Sequence, residues 1–179
     1  MVKSVLHPDV PLLGLLEFQL LKREARALRQ LDPLPEVPDL FELRPPESIV
    51  MEFRKGRRVR EVDHDELGPD FFDQFQRAVD DMHDLGIVHS DLKKKDNLLV
   101  SPDLEPVIVD FGTHFRWDAP WGAPYRFLYN QFKEMDLNAV VKLKKDYCPE
   151  AVTEDEWERL DSPVFLEKLD RFRRDYLFE

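Results

Sequence analysis

Three short apolar runs follow Gly86, and each gives way to polar residues within a few positions. The runs are Ile87–His89, Leu98–Val100 and Val107–Val109. Apolar runs of this length between polar turns predict short buried strands. Loops at the ends of such strands can point several polar side chains into one cleft. This stretch therefore constrains the chain to a set of short strands with a polar site at their ends.

The rest of the sequence predicts an α+β arrangement, with a small sheet and one helix first and a mostly helical part after it. Pro69 can open a helix that Gly86 closes, and Thr153 with Glu156 forms a capping-box pair. We expect an aromatic-rich, irregular segment at Phe115–Tyr129. We expect the last fifty residues to be helical. The other predicted elements are a strand at Val2–Leu6, a helix at Leu12–Leu31, a hairpin of Asp39–Leu43 with Ile49–Phe53, and a final helix from Ser162–Pro163 that buries Phe165, Leu169 and Phe172.

One acid stands out on the first predicted helix. Its apolar stripe, at helical spacing, consists of Leu13, Leu16, Leu20, Ala27 and Leu31. Glu24 falls on the same stripe, and a carboxylate on an apolar face needs a cationic partner or access to solvent. The pattern therefore predicts that Glu24 either pairs with a cation or is reached by solvent.

Composition limits the classes of protein to consider. A chain of 179 residues suffices for one domain with a hydrophobic core, and a net charge of −11 argues against a sequence-independent nucleic-acid binder. Cys148 is the single cysteine, so no internal disulfide is expected. No apolar run approaches the roughly 20 residues that span a bilayer, and Met1–Val10 lacks the layout of a secretory signal. We expect a cytoplasmic protein.

The densest chemical signal is the run from His89 to Asn97, followed by Asp110-Phe-Gly112. Phosphoryl transfer requires a carboxylate to orient the attacking hydroxyl, a cation near the transferred phosphate, and oxygen ligands for Mg²⁺. The residue types for those tasks are present at Asp91, Lys93, Asn97 and Asp110.

These two motifs resemble the catalytic loop and the metal-binding Asp-Phe-Gly motif of the protein-kinase superfamily. In detail the chain looks most like small bacterial proteins related to the RIO and lipopolysaccharide-core kinases. The resemblance implies one domain over residues 1–179 with a reduced bilobal kinase-like fold, a truncated N-lobe at 1–53 and a small helical C-lobe at 54–179. It also implies ATP and Mg²⁺ as cofactors and a hydroxyl group, on a protein serine or threonine, a sugar or a small molecule, as the acceptor.

The same resemblance implies a role for each candidate residue. Asp91 would orient the acceptor, and Lys93 would neutralise developing charge. Lys3, steadied by Glu24, would contact the α- and β-phosphates of ATP. Asn97 and Asp110 would hold Mg²⁺, while Met51, Glu52 and Phe53 would line the adenine site as the end of a hinge strand.

Several features depart from the superfamily pattern. No glycine-rich loop precedes Lys3. This leaves open a protein partner that supplies the missing N-lobe elements. Asn97 lies six residues after Asp91 instead of the common five, so either Asn97 or Asp96 could meet the metal; the strand that follows favours Asn97. Ser90 replaces a common arginine, and Ala123-Pro124 is followed by Tyr125, so neither activation-loop control nor a peptide substrate is implied.

Two alternative functions stay open at this point. The missing glycine-rich loop is also typical of a pseudokinase, which would act as a nucleotide-binding or scaffold module without turnover. A metal-dependent phosphohydrolase that uses His89, Asp91 and Asp110 is the third hypothesis.

Overall fold

The computed structural model describes residues 1–6, 11–45, 48–117 and 122–161. Within these residues lie eight strands and four α-helices. The strands are β1 Val2–Ser4, β2 Leu40–Arg44, β3 Ser48–Met51, β4 Arg57–Arg58, β5 Ile87–Val88, β6 Leu98–Val100, β7 Pro106–Ile108 and β8 Phe115–Arg116. The helices are α1 Pro11–Gln30, α2 Pro69–Asp84, α3 Gly122–Tyr147 and α4 Glu154–Asp161. This mixed architecture is that of a reduced kinase-like fold, as predicted.

The first sheet has the antiparallel order β1-β3-β2, with β3 in the centre. Alternate residues of β3, Ile49 and Met51, are buried against α1 and the core, while Lys3 of β1 pairs in register with Ile49. The predicted hairpin is therefore present as β2 and β3, although Pro46 and Glu47 of its turn lie outside the described residues. This sheet fixes the position of Lys3 relative to α1.

The three strands predicted after Gly86 are present as β5, β6 and β7. β6 pairs with β7, and β5 pairs with β8, all antiparallel. β4, which adds to the outer edge of β6, was not predicted, because two arginines carry no apolar pattern. A Cβ atom on Gly56 would lie 2.8 Å from the carbonyl oxygen of Val100, so the chain approaches β6 closely just before β4.

α2 and α3 form the centre of the core. α2 begins at Pro69 and buries Phe72, Phe75, Val79 and Met82, as the sequence predicts, and Gly86 follows it at a φ of +78°. The prediction of an irregular segment at Phe115–Tyr129 is wrong, because β8 and the first turns of α3 occupy it. The aromatic side chains stack there, with 4.6 Å between the ring centres of Phe115 and Tyr125, and Pro124 is tolerated because it lies in the first helical turn.

The buried face of α1 differs from the predicted stripe in its first half. Leu13, Leu16 and Leu20 are 45%, 56% and 47% exposed, whereas Ala27, Leu31 and the acid Glu24 are buried as expected. The fully buried core residues of α1 lie in its second half and include Leu21, Ala25 and Leu28, while Phe18 of the first half is only partly buried against the core. The period was identified correctly, but a 3.6-residue repeat cannot reveal where along a helix its contacts begin.

The end of the described chain follows the sequence prediction. Glu156 accepts from the backbone N–H of Thr153 at 2.7 Å, and the Thr153 hydroxyl accepts from the backbone N–H of Glu156 at 3.3 Å, which confirms the capping box of α4. The predicted final helix from Ser162 lies outside the described residues.

Among the helices that the structure describes, none combines the length and the apolar character needed to cross a bilayer.

Candidate functional site

One ammonium group joins three separate parts of the chain. The Nζ atom of Lys3 lies 2.7 Å from Glu24 Oε2 and 2.8 Å from Asp110 Oδ1. Lys3 belongs to the edge strand β1, Glu24 to the buried face of α1, and Asp110 to the loop after β7. The structure therefore brings together three of the predicted site residues, including two that are 107 positions apart in the sequence.

Burial and charge act in opposite directions on these three groups. Burial raises the pKa of Glu24, and the attraction of Lys3 offsets only part of that rise. For Asp110 burial is outweighed by the hydrogen bond and charge of Lys3, so its pKa is below the ordinary value. For the lysine, burial acts in the other direction and lowers the pKa, but Glu24 and Asp110 together raise the pKa of Lys3 above the ordinary value. The cation is therefore held firmly in its charged form between the two acids.

Asp91 forms an ion pair with Lys94, a lysine for which no role was predicted from the sequence. Its Oδ2 atom lies 2.6 Å from Nζ of Lys94, and this hydrogen bond raises the pKa of Lys94. The charge of Lys94 also acts on Asp110 at longer range, as a smaller contribution to the lowered pKa of that acid. Lys93, which was predicted to neutralise developing charge, is exposed, and that role stays a prediction. Three consecutive lysines gave no sequence signal to distinguish Lys94.

The structure separates the two candidates for the second metal ligand. The carboxylate of Asp96 lies 3.3 Å from Nε of Arg58 and 3.0 Å from Nε of Arg60, so it faces β4 and the turn after it. Asn97 is buried, and its Nδ2 donates to the backbone carbonyl of Asp91 at 3.0 Å. That bond leaves the carboxamide oxygen of Asn97 as its available ligand atom. An amide oxygen and the carboxylate of Asp110 are a chemically suitable donor pair for Mg²⁺, which takes few protein ligands.

His89 has a structural role in this arrangement. It is fully buried, its Nε2–H donates to the carbonyl of Val109 at 3.0 Å, and its Nδ1 accepts from the backbone N–H of Asp91 at 3.4 Å. The ring also packs on Phe111 with 4.9 Å between centres. Because both ring nitrogens are engaged, the geometry gives no support to a hydrolase that uses His89 as a metal ligand or proton carrier.

A buried acid that sequence reasoning missed, Asp136, anchors the loop of Asp91. Asp136 of α3 accepts the backbone N–H of His89 at 2.7 Å through Oδ2 and that of Ser90 at 2.9 Å through Oδ1. The same carboxylate lies 3.2 Å from Nε2 of His83. The available signal was an aspartate among the apolar residues of a helix, but its partners lie 46 and 47 positions away.

Two residues of the site have left-handed backbone conformations. Ser90 has a φ of 67° and Asp110 a φ of 68°, where a side chain costs about 1–2 kcal/mol relative to the ordinary helical region. The Ser90 hydroxyl donates to the carbonyl of Thr113 at 2.9 Å, which connects the loop of Asp91 to the loop of Asp110. The local strain is thus maintained by contacts that fix the two acids relative to each other.

The predicted hinge residues have three different environments. Met51 is 2% exposed and packs in the core. Glu52 donates its backbone N–H to the carbonyl of Asp39 at 2.8 Å, and its carboxylate pairs with Arg54 at 2.7 Å. Phe53 is 65% exposed. The segment is fixed at Met51 and Glu52, while its contact with an adenine ring stays a prediction.

One comparison with known proteins found a match to this chain. The family model of the RIO domain matches residues 16–154, which include α1 from Leu16 onward, the loop of Asp91 and the loop of Asp110, but not Lys3. No curated protein matches the chain. The match covers more than half of the 179 residues.

Asp136→Ala should lower the free energy of unfolding by about 3–5 kcal/mol, because it leaves two backbone N–H donors and His83 without their buried acceptor. Urea unfolding followed by circular dichroism measures the change. Asp81→Ala, which removes an exposed carboxylate from α2, is the matched control and should change stability by less than about 0.5 kcal/mol. Equal effects of the two substitutions would contradict the anchoring role.

Lys3→Met should raise the pKa of both acids that share this cation. Asp110 should return toward an ordinary value of about 3.9, and Glu24 should rise further because burial is then unopposed. In the wild type, the stabilisation from Asp110 is present above its ordinary pKa and is lost as the pH falls through its lowered one. Carboxyl-carbon NMR titration measures both groups. Lys22→Met is the control, and unchanged titrations in Lys3→Met would refute the coupling.

Proposed function

The chain belongs to the RIO domain family, and from this premise we propose that it is an ATP- and Mg²⁺-dependent phosphotransferase acting on a hydroxyl group. The observation that carries the proposal is the position of Lys3, whose Nζ lies within 2.8 Å of both Glu24 and Asp110. A lysine held between a buried glutamate and the acid of an Asp-Phe-Gly motif is suited to bind phosphate next to a metal ion. RIO membership supports kinase-like chemistry in general, and the residue roles below are our own assignment.

Phosphate and metal binding would be divided between two sets of residues. Lys3 would contact the α- and β-phosphates, and Glu24 would keep it in place because the Glu24 carboxylate is buried on the α1 side. Asp110 and the carboxamide oxygen of Asn97 would hold Mg²⁺, which supplies charge neutralisation for the phosphates when it is bound. The pairing of Asp96 with Arg58 and Arg60 supports Asn97 over Asp96 as the second ligand.

Asp91 and one lysine of its loop would act on the transferred group. Asp91 would accept the hydrogen bond of the incoming hydroxyl and orient its oxygen for in-line attack. Lys94 is better situated than Lys93 to neutralise charge on the transferred phosphate, because it lies 2.6 Å from Asp91 and also interacts with Asp110. Asp136 is a positioning residue, since it holds the backbone of the loop and does not reach the cleft.

Two further parts of the proposal concern the lobes and the acceptor. We assign residues 1–53 to a truncated N-lobe and 54–179 to a C-lobe of one domain, with Met51, Glu52 and Phe53 between them beside the adenine ring. The acceptor would be an alcohol, either a serine or threonine hydroxyl or that of a sugar, because Asp91 is suited to orient an O–H group.

Mg·ATP binding tests the cleft directly. Asp110→Asn and Asn97→Ala should each weaken the affinity by about tenfold or more, since each removes a proposed metal ligand. Asp96→Asn is the matched control, because its carboxylate faces Arg58 and Arg60, and its affinity should stay within about twofold of the wild type. Isothermal titration calorimetry measures all four proteins. Wild-type affinity in Asp110→Asn would disprove the metal assignment.

Turnover distinguishes an enzyme from a binding module. We expect transfer of labelled γ-phosphate in the presence of hydroxyl acceptors and its reduction by about 10²–10⁴-fold in Asp91→Asn, with Mg·ATP affinity nearly unchanged. Lys94→Gln and Lys93→Gln form a matched pair with equal change of charge, and only Lys94→Gln should slow transfer strongly. Mg·ATP binding without any transfer by the wild type would instead make the chain a nucleotide-binding scaffold.

A further inference from the structure

A cavity of about 380 Å³ is bordered by the segment that joins β3 to β4, the loop before β2, the turn between β6 and β7, and one residue of α2. Its volume falls in the range of ~300–1,000 Å³ that ligand pockets have. The lining includes none of Lys3, Asp91 and Asp110, so the cavity is separate from the proposed phosphate and metal site. It shares Glu52 and Phe53 with the proposed adenine site.

The lining of this cavity carries more negative than positive groups. Four carboxylates and two cations border it, which gives a net charge of −2. One pair of charges is internal, because the carboxylate of Glu52 lies 2.7 Å from Nε of Arg54. Three carboxylates and the exposed ammonium group of Lys55 remain. Even if Lys55 pairs with one of these acids, two carboxylates stay uncompensated.

The three remaining acids stand on two different walls. Glu36 is partly buried in the loop before β2, whereas Asp103 and Glu105 are exposed on the turn between β6 and β7. With the lysines and arginines that the structure describes, these three acids form no ion pair. Uncompensated carboxylates around one cavity produce a negative potential that favours a cationic ligand.

The spacing of the acids indicates which kind of cation fits. Among the described residues, no three His, Cys, Asp or Glu side chains come close enough together to hold one metal ion. The negative charge of the cavity is therefore distributed over its walls. A ligand with separate positive groups can approach each wall, and it matches this distribution better than a single ion does.

An aromatic ring adds an apolar surface to the same cavity. Phe53 lines it and is 65% exposed, which is unusual for a side chain of that size. Arginine is the cation that can use both kinds of surface. Its planar guanidinium group binds carboxylates through paired N–H donors, and it also stacks on aromatic rings.

We propose that this cavity is a docking site for an arginine-bearing peptide segment of a partner protein. One arginine would pair with Glu36 and a second with the turn of Asp103 and Glu105, while one face of Phe53 would contact a guanidinium plane. A peptide is favoured over free amines, because it carries both guanidinium groups on one chain and the second pairing then becomes intramolecular.

The docking site adjoins elements that position the cleft. The backbone N–H of Ile108 donates to the carbonyl of Glu36 at 2.8 Å, so the loop before β2 is attached to β7. Asp110 follows Ile108 by two residues. A bound peptide would therefore connect the proposed hinge with the strand that leads to the metal-binding acid. Binding itself needs neither ATP nor Mg²⁺, so it is independent of the proposed phosphotransferase activity.

Calorimetric titration of the whole chain with acetyl-Arg-Gly-Gly-Arg-amide, without nucleotide or Mg²⁺, tests the proposal. The flexible spacer lets the two guanidinium groups reach both walls. The wild type should bind this peptide saturably at one site, and the peptide with glutamine in place of both arginines should not bind. Glu36→Gln and Glu105→Gln should each weaken binding by about tenfold. Glu158→Gln, which removes the same charge from an exposed position of α4, should bind like the wild type.

Further titrations locate the site and classify its ligand. Asp91→Asn should retain peptide binding, because Asp91 belongs to the ATP cleft, and loss of binding there instead of in Glu36→Gln would overturn the docking site. Affinity for spermine equal to that for the peptide, or saturable Ca²⁺ binding that Glu36→Gln abolishes, would overturn the assignment to a peptide. A wild type that is folded by circular dichroism and does not bind the arginine peptide would contradict the proposal as a whole.

Discussion

The ion pair between Lys3 and Glu24 is the interaction on which the arrangement of the cleft depends. The Glu24 side chain is 2% exposed, and an isolated carboxylate in that position would be strongly disfavoured without a cation. Lys3 provides the cation from β1, so the sheet and α1 are held in a fixed relation. Asp110 approaches the same ammonium group from the loop after β7. A single charge therefore determines how the edge strand, the first helix and the Asp-Phe-Gly segment meet.

The second half of the site depends on a different kind of restraint. The loop of Asp91 makes its turn through Ser90, whose left-handed backbone is unfavourable for a residue with a side chain. Asp136 offsets this cost by accepting two consecutive backbone N–H groups of that turn from a helix in the core. Burial, together with the charge of Asp136, raises the pKa of Tyr129 to about 12, so the tyrosine stays a hydroxyl donor. Its hydroxyl donates to the carbonyl of His83 at 3.1 Å, which completes a buried polar network under the loop.

Sequence reasoning works best where the signal is local. Asp91, Asn97 and Asp110 follow short apolar runs and Glu24 stands on an apolar stripe, so each is singled out within a few residues, and the structure places Glu24 and Asp110 on Lys3. Asp136 could not be assigned a role in the same way, since nothing near it in the sequence indicates which backbone groups it will meet. The ion pair of Lys94 with Asp91 was not predicted for another reason: which of three adjacent lysines contacts the acid depends on the path of a loop. The exposed leucines at the start of α1 show that periodicity identifies a face of a helix but not its neighbours.

The lysines also explain how an acidic chain holds the two candidate carboxylates in place. Lys3 lies on Asp110 and Lys94 lies on Asp91, so each acid has a cation before any ligand arrives. In the proposed function, Lys3 can move from Asp110 to phosphate oxygens without losing Glu24, because that partner is buried and stays in place. Lys94 is 62% exposed, so its ammonium group keeps contact with water and can turn from Asp91 to a phosphate. Binding of Mg·ATP would then replace existing ion pairs by equivalent ones, and the cleft would not need to be rebuilt around its ligand.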